Sequence, residues 1–541
     1  MATHSRGLSR ARSSAGRRLP SLALAAVLTG TLALGACGSD SDSDTDSDGG
    51  GSSTPSATSE VDTLIIANAV KVDTLDPEVA SVNESIWLDQ NLYSRLVQAD
   101  PTGTTIEPDL ATDWEISEDA LTYTFHLQDA TFSDGTPVLA SDVAWSINRA
   151  RAFEDGWGFL MTAVTDVTAP DDKTVVVTLS KPHAPLLADL AMYAFSVLPQ
   201  KLVEAQGDDF FKMPVGSGPF SVSSYDPEAQ VDLVRNDDYY GPMPKIKNVQ
   251  IKVITNDNTR VLALQSGDVD IIENPPGNLT KQIEANKDLQ VDEFPSTRVD
   301  FIEMNGKDEH FADVRVRQAV RAALDLEQVN KLAYDDSGTP ATSFMPYKML
   351  YWNDELPAPA VDLDKAKQLM ADAGFEDGFK TNLITVSGDA AGAAEAVVVK
   401  DSLAKIGIDV EIESYELVTA YGKEREGDYG LGERYWTNDI IDPDEVVTFG
   451  VDVEAGANSF NTGWSDPEAT QLANDARSET DEAKRTEMYK RIQEIVYEQT
   501  PYLPVNYPPF RYASGKWVTG FAVSPLGNYN DSLLTLTVDK H

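Results

Sequence analysis

A strand–helix–strand rhythm in the middle of this chain constrains its fold more than any other feature. Residues 247–254 predict a strand, residues 259–266 a helix and residues 268–272 a second strand. The pattern returns where a helix over 397–406 is followed by a strand over 408–412. Each of these helices is followed by a glycine, the usual residue at a helix end. Alternation of this kind predicts α/β sheets covered by helices.

Other segments have apolar residues at helical spacing or the signals of a helix start. They are 86–97, 141–152 and segments beginning at 311–313, Asp364, Asp466-Pro467 and Thr480. The 541 residues are enough for two to four domains of ordinary size. No internal repeat and no second membrane-spanning segment is found in the sequence.

The glycine-rich segment 214–220 predicts a tight turn before a strand. Its glycines do not extend to the G-x-G-x-x-G pattern of a dinucleotide site, because position 221 is serine. Pro219 also lacks the backbone N–H that a phosphate cradle would use. A phosphate-binding loop is therefore the weaker interpretation.

The N-terminus has the pattern of a bacterial export signal. Five arginines precede an apolar run over 19–36, which ends in the sequence Leu-Gly-Ala-Cys at 34–37. That tetrapeptide resembles the bacterial lipobox, so we predict a signal peptide over 1–36 and a lipid-bearing Cys37. The Ser/Asp/Gly-rich residues 37–60 predict a flexible tether. The protein is thus expected to be exported and lipid-anchored to the outer face of the bacterial cell membrane, by either the Sec or the twin-arginine route.

The charge of the chain excludes several classes of partner. Asp and Glu total 88 against 43 Lys and Arg, a net charge of −45. Such acidity argues against binding nucleic acid through a basic patch.

Cys37 is the single cysteine, and the five histidines show no metal-ligand spacing. The sequence therefore predicts no intrachain disulfide, no metal site and no cofactor.

Residues 435–444 read Tyr-Trp-Thr-Asn-Asp-Ile-Ile-Asp-Pro-Asp and concentrate aromatic and acidic side chains. Pro443 keeps the preceding residue out of the helical region, so a strand entering this segment ends in a loop. Trp436 and Asp439 then lie where binding groups are common, at a strand end. An aromatic wall beside a carboxylate suits a ligand with positive charge and apolar bulk. The structural alternative is a core tryptophan beside a solvated acidic turn.

Short motifs follow one another along the chain in an order that resembles one family. They are Leu-Asp-Pro at 75–77, Leu-Ala-Thr-Asp-Trp at 110–114, Phe-Ser-Asp-Gly-Thr-Pro at 132–137, Ala-Ser-Asp-Val at 140–143, Pro-Val-Gly-Ser-Gly-Pro at 214–219, Gln-Ser-Gly-Asp-Val-Asp at 265–270, Asp-Val-Arg-Val-Arg-Gln-Ala at 313–319, the helical segment 366–374, Ile-Gly-Ile-Asp-Val at 406–410 and the segment 436–443. Behind a lipobox, this set resembles the peptide- and nickel-type solute-binding proteins of bacterial ABC importers. The resemblance covers about residues 61–541.

The resemblance implies an α/β, two-lobed periplasmic-binding-protein-like fold of class II, with an extra subdomain on the first lobe. The first lobe would comprise residues 61–98, 181–290 and 500–541. The subdomain would be 99–180 and the second lobe 291–499. A hinge would join the lobes, and the ligand would be trapped between them.

The resemblance also implies a binding site. Asp439, in the Trp-x-x-Asp position, would pair with the α-ammonium group of a peptide. Trp436 and Trp87 would stack on the ligand, and the backbone of Thr437 and Asn438 would pair with it. Asn506 and Tyr507 complete the expected site.

The sequence departs from the peptide-binding pattern at 386–391, where the family commonly has an arginine for the peptide carboxylate. The residues here are Val-Ser-Gly-Asp-Ala-Ala, with no cation. Arg434 or Arg260 could substitute. A dipeptide ligand is therefore in doubt, whereas longer peptides or another cationic solute remain open.

Together these observations predict an extracellular substrate-binding lipoprotein that captures peptides, or a related cationic solute, for an ABC permease and its ATPase. We expect the protein to be a monomer and not to be an enzyme. The alternatives are an exported hydrolase or peptidase, for which the usual motifs are absent, and a sensor lipoprotein without transport. A nickel role is less attractive, because a direct site would need carboxylates or one lone histidine.

Overall fold

The structure, a computed structural model, describes residues 62–153, 156–452 and 460–539. The predicted signal peptide, Cys37 and the whole of the predicted tether lie within residues 1–61, outside the described residues. No helix in the described part of the chain is both long enough and apolar enough to cross a membrane.

The strands of the described residues are numbered in chain order. They are β1 Thr63–Asn68, β2 Val97–Ala99, β3 Ile106–Pro108, β4 Ala111–Ile116, β5 Thr122–Leu127, β6 Val164–Asp171, β7 Thr174–Leu179, β8 Phe220–Asp226, β9 Gln230–Arg235, β10 Asn248–Val253, β11 Ile271–Glu273, β12 Leu289–Phe294, β13 Arg298–Met304, β14 Thr339–Pro340, β15 Phe379–Val386, β16 Ile408–Tyr415, β17 Leu431–Thr437, β18 Tyr502–Tyr507, β19 Phe510–Gly515, β20 Val518–Thr519 and β21 Thr537–Val538.

The α-helices are numbered in the same way. They are α1 Asn83–Leu92, α2 Ala140–Ala152, α3 Leu186–Leu190, α4 Gln200–Gln206, α5 Asp257–Ser266, α6 Gly277–Glu284, α7 Val314–Ala323, α8 Leu326–Ala333, α9 Leu363–Asp372, α10 Ala390–Ala404, α11 Leu417–Glu426, α12 Asp444–Val451, α13 Pro467–Ser478, α14 Glu482–Gln499 and α15 Asn530–Thr535. Short 3₁₀ turns lie at Trp157–Met161, Tyr193–Phe195 and Gly207–Lys212.

A seven-stranded mixed sheet builds the first lobe, in the order β12-β19-β11-β1-β10-β9-β8. Its central strand β1 pairs in parallel with β10 and β11, as crossovers through a helix require. β1 is buried on both faces, because Leu64 and Ile66 enter one apolar core and Ala67 enters another. Helix α1 contributes to the first core, and α5 and α6 contribute to the second.

A four-stranded antiparallel sheet, in the order β4-β5-β7-β6, uses residues between 111 and 179. Helix α2 packs on it with Val143, Ile147 and Ala150 buried. These three residues recur at helical spacing, which places them on one face of the helix. This layer falls within the range 99–180 that the sequence suggested for a subdomain.

A six-stranded sheet builds the second lobe, in the order β14-β18-β13-β17-β15-β16. One face is covered by α7, α8, α9 and α10, which share an apolar core with β13 and β17. The other face is covered by α12, α13 and α14. Strand β17 lies between β13 and β15 in this sheet and ends at Thr437, where the segment with Asn438 and Asp439 begins.

The chain passes between the two sheets twice, at 295–297 and at 508–509. The Ser296 hydroxyl donates a hydrogen bond to the Pro508 carbonyl, so the two connections lie side by side. Adjacent crossings of this kind are where a hinge between two lobes would lie. Both come later than the expected boundaries at 290 and 500, because β12 still pairs with β19 and β18 still pairs with β13.

The helix expected over 86–97 is shorter in the structure, and tertiary contact explains the difference. Helix α1 ends at Leu92, whose carbonyl accepts from the N–H of Gly218 at 2.9 Å instead of from a further turn. A Cβ at Gly218 would stand 2.5 Å from the Asn91 carbonyl oxygen, and one at Gly216 would stand 2.0 Å from that of Leu92. The glycine-rich segment is thus a turn that needs glycine because backbone approaches backbone.

Two of the helices begin at residues whose side chains cap the first turn. The Asp466 carboxylate accepts from the N–H groups of Glu468 and Ala469, so the start predicted at Asp466-Pro467 is confirmed. The helix expected from Thr480 begins instead at Glu482, because Asp481 is the residue whose side chain caps it.

Candidate functional site

Two of the three carboxylates in the segment 435–444 are bound by arginines of the same lobe. Asp442 accepts from both terminal nitrogens of Arg485, at 2.9 and 3.1 Å. Asp444 accepts from Nε of Arg477 at 2.6 Å. Among the described residues no cation lies within ion-pair distance of Asp439. Asp439 is therefore the acid of this segment that can accept a charge from a ligand.

A second carboxyl group lies beside Asp439. The Asp439 N–H donates to Oε2 of Glu445 at 2.9 Å, and Glu445 is fully buried in the first turn of α12. Burial raises the pKa of Asp439 to about 8. Burial first, and then the charge of Asp439, raises the pKa of Glu445. Without a cation, the protonated forms of buried Glu445 and half-buried Asp439 are favoured, and a ligand cation beside them would favour their ionised forms.

The Asp439 loop faces the first lobe. Asp439 and Ile441 line a cavity together with Gln90, Arg95 and Tyr193 of the first lobe. One residue before the loop, the hydroxyl of Thr437 lies 3.5 Å from the side-chain amide nitrogen of Asn83 in α1. The predicted binding loop therefore lies between the lobes.

Trp436 forms an aromatic wall at this junction. Its ring centroid lies 4.3 Å from that of Phe449 and 5.6 Å from that of Phe460. The ring of Trp157, from the first-lobe side, approaches Trp436 at 6.4 Å and Phe449 at 5.6 Å. Within the described residues the Trp436 indole nitrogen is buried without a hydrogen-bond partner.

Asn438 holds the loop in shape. Its amide donates to the carbonyls of Ile440 and Asp442 at 2.6 and 3.2 Å, and its side-chain oxygen accepts from the N–H of Val446 at 3.0 Å. Its carbonyl accepts from the Thr297 hydroxyl at 2.7 Å. These groups are already committed to the protein, which leaves the strand before Asn438 as the backbone available to a ligand.

Strand β17 has an open edge. It pairs with β13 along its whole length, but β15 pairs with it only at Leu431 and Gly432. In the described part of the chain, no strand pairs with 433–437 on the β15 side. An extended ligand can add to such an edge through backbone hydrogen bonds.

Three further expected site residues have their described contacts within their own lobes. Trp87 is buried in the first-lobe core, edge-to-face with Phe510 at 5.4 Å. Tyr507 uses its hydroxyl within the second lobe, donating to the carbonyl of Ser343 at 2.6 Å. Asn506 is fully buried in β18 opposite Asp300, and both polar atoms of its side chain lack partners among the described residues.

Neither arginine considered as a substitute for the missing cation is free. Arg434 donates through Nε to Glu424 at 2.5 Å and lies 4.6 Å from the Tyr421 ring. Arg260 is buried in the first lobe, where it donates to the carbonyls of Ile254, Glu273 and Asn274 and to Asp257. Arg95 is different, because its Nε and one terminal nitrogen have no partner in the described structure while it lines the Asp439 cavity.

Comparison with known proteins gives the family. The model described as "Bacterial extracellular solute-binding proteins, family 5 Middle" matches residues 105–455, more than half of the chain. The chain belongs to this family. The resemblance drawn from the ordered sequence motifs is thereby confirmed, and the two-lobed α/β fold agrees with the family's solved structures. Family 5 consists of solute-binding proteins rather than enzymes, so the alternative of an exported hydrolase finds no support.

Similar proteins cover more than four fifths of this chain. The dipeptide-binding protein of Escherichia coli is 28% identical over 81% of this chain and 88% of its own length. The probable D,D-dipeptide-binding periplasmic protein of the same organism is 30% identical over 86% of this chain and 92% of its own length. A solved structure of the periplasmic binding protein DppA of Helicobacter pylori, in complex with the peptide STSA, matches with a TM-score of 0.81 and 29% identity. The match covers 88% of this chain and 98% of that chain.

Sequence reasoning missed several charged residues of this family 5 protein that lie near the open edge of β17. Glu433 is buried in β17 itself, and Glu395 is the one acid in the otherwise apolar first half of α10. Arg298 begins β13 opposite Thr437. The sequence could have indicated the two acids, because carboxylates are rare in strands and helices that are buried in a core.

Proposed function

We propose that this protein captures short peptides between its lobes and delivers them to the permease of an ABC importer. The observation that carries the proposal is Asp439, a carboxylate without a cation partner among the described residues, in a loop that faces the opposite lobe. A peptide α-ammonium group supplies the missing positive charge. The relatives named for dipeptide binding support a peptide as the ligand class.

The open edge of β17 supplies the second half of the binding mode. A peptide with its ammonium group on Asp439 extends along 433–437 and forms backbone hydrogen bonds there, as a further strand would. Such contacts do not depend on side-chain identity. Selectivity among peptides then comes from the pockets beside the strand, and Trp436 and Trp157 form the apolar wall of the first of them.

Closure follows from the electrostatics of the cleft. A ligand shifts the protein toward the closed state only by the difference between its affinities for the closed and open states. Enclosing the Asp439 carboxylate without a partner costs several kcal/mol, whereas enclosing it with an ammonium group offsets that cost. A loaded protein therefore closes and an empty one opens, which gives the permease a shape to recognise.

The test is calorimetric titration with trialanine and with N-acetyl-trialanine, which lacks the ammonium group. We expect wild-type protein to bind trialanine at least about tenfold more tightly, or about 1.4 kcal/mol. Asp439→Asn should abolish that preference, because the isosteric amide has no charge. Asp401→Asn, on the exposed face of α10, is the matched control and should retain it. Equal affinity for the two peptides in wild-type protein would remove Asp439 from the site.

We also propose that the mature protein is tethered to the membrane by lipid on Cys37. The support is the sequence Leu-Gly-Ala-Cys at 34–37 behind an arginine-rich, apolar N-terminus. Acyl chains bind membranes by about 0.8 kcal/mol per buried CH₂, so more than one chain holds a protein stably. Cys37→Ala should move the protein from the membrane fraction to the soluble fraction. A variant that stays with the membranes would contradict the anchor.

A further inference from the structure

A group of acids lies on one face of the second-lobe sheet, further along β17 from Asp439. The register places Asp300 opposite Tyr435 and Ile302 opposite Glu433, so Asp300 and Glu433 share that face. Helix α10 covers the same face through its apolar residues. At its first turn Gly392 leaves room for the Glu433 carboxylate, whose Oε2 lies 2.5 Å from where a Cβ would stand.

Arg298, the arginine at the start of β13, is already bound to Asp300. The Nε of Arg298 donates to Oδ1 of Asp300 at 2.6 Å, and the guanidinium group stacks 4.0 Å from the Tyr435 ring. The Tyr334 hydroxyl donates to the other oxygen of Asp300. Asp300 is therefore satisfied, and neither Glu433 nor Glu395 forms an ion pair within the described residues.

Two buried side chains on this face have polar atoms without partners. Glu395 in α10 is fully buried, and no described residue forms a hydrogen bond to either of its carboxyl oxygens. Asn506, opposite Asp300 in the neighbouring strand, is also fully buried with both polar side-chain atoms unpaired. Buried polar groups in native proteins nearly always have partners, so this face lacks something that would satisfy it.

The first lobe adds carboxyl groups from the other side of the cleft. Glu84 lies in the first turn of α1, next to Asn83, whose side chain contacts Thr437 of β17. Glu273 ends β11. Burial, and then repulsion from Glu273, raises the pKa of Glu84 well above its usual range. Burial raises the pKa of Tyr435, and the charges of Tyr421 and Glu84 raise it further.

We propose that these carboxyls hold a second positive charge of the ligand. Glu433 and Glu395 receive it from the second lobe, and Glu84, next to the contact of Asn83 with Thr437, adds its charge from the first. The ligand class is then a short peptide with a lysine or arginine side chain, or a linear polyamine, which presents the same chemistry. This inference rests on the proposed capture of a ligand ammonium group at Asp439.

The spacing suits a ligand with two separated positive charges. Glu433 and Thr437 are four residues apart along β17, about 13 Å at the usual strand rise, and Asp439 lies two residues beyond Thr437. A ligand that adds to the open edge of β17 with its ammonium group at Asp439 therefore needs a second positive charge well separated from the first.

The test is calorimetric titration of the full chain with matched peptides that have free amino groups. Ala-Ala-Lys and Ala-Lys-Ala are compared with Ala-Ala-Gln and Ala-Gln-Ala, and spermidine is the polyamine probe. We expect at least one lysine peptide, or spermidine, to bind at least about tenfold more tightly than the glutamine peptides. Glu433→Gln and Glu395→Gln should each remove that preference.

Controls separate this site from the fold and from Asp439. Glu303→Gln, on the opposite face of β13, should keep the preference for the second charge. The Gln variants at 433 and 395 should melt no lower than wild type, because each removes an ionisable group with no ion-pair partner in the described structure. Lysine peptides and spermidine that bind no more tightly than the glutamine peptides would overturn this inference and leave the proposed function intact. Absence of binding by every probe would overturn both.

Discussion

Asp439 lies beside Glu445 at the lobe boundary, and no described cation forms an ion pair with either carboxyl. Burial raises the pKa of Asp439 from 3.8 to about 8 in this state. In an open cleft, water would return the group toward its ordinary value. Between those two values the closed, empty protein holds more protons than the open one. Raising the pH through this window therefore disfavours the closed, empty state, and lowering it favours closure.

This difference predicts how the empty protein titrates. Without ligand, lowering the pH from about 8 toward 5 should shift the population toward the closed form. Tryptophan fluorescence reports it, because Trp157 and Trp436 meet only across the lobe boundary. In Asp439→Asn the midpoint should move to higher pH, since one fewer carboxyl must be protonated. A midpoint unchanged by the substitution would show that Asp439 is not enclosed on closure.

The choice among the three acids of 435–444 illustrates what the sequence could and could not predict at this scale. The aromatic and acidic composition of the segment located the candidate site. The sequence alone does not distinguish Asp442 from Asp444, because their arginine partners lie 43 and 33 residues away along the chain. The family resemblance indicated Asp439, and the structure adds that its two neighbours are already paired.

At the scale of elements, local signals predicted more than long-range ones. Helix α5 ends at Gly267 with a left-handed backbone, and β10 and β11 flank it, as the strand–helix–strand rhythm indicated. The end of α1 was missed because Gly218, more than 120 residues later, takes the Leu92 carbonyl. The open edge of β17 was equally unpredictable, since it depends on β15 diverging after two paired residues.

Glu395 is the exception, an element-scale signal that was overlooked. A single carboxylate within the run Ala-Ala-Gly-Ala-Ala-Glu-Ala-Val contradicts the apolar pattern of a buried helix. Places where a sequence breaks the pattern of its element are often functional. The same reasoning applies to Glu433 in β17. Sequence patterns could therefore have indicated the second acidic group, although not that both acids lie on one face.

At the scale of the whole molecule, family membership and the two side-by-side crossings point to one mechanism. The lobes are joined at 295–297 and 508–509 and contact each other through Trp157, Trp436, Asn83 and Thr437. In the proposed binding mode, carboxyls from both lobes lie beside the ligand. Closing the cleft around these carboxyl groups without a ligand requires them to be protonated, whereas closing it around a cationic ligand does not. The ligand is thus expected to control closure as well as to fill the cleft.

Small-angle X-ray scattering at pH 8 tests this claim most directly. At this pH the acids resist closure without a partner, so the empty wild-type protein should be open and have the larger radius of gyration. Saturating trialanine should reduce the radius, and N-acetyl-trialanine at the same concentration should not. A radius that is the same with and without trialanine, or that falls equally with the acetylated peptide, would contradict closure of the lobes around a ligand ammonium group.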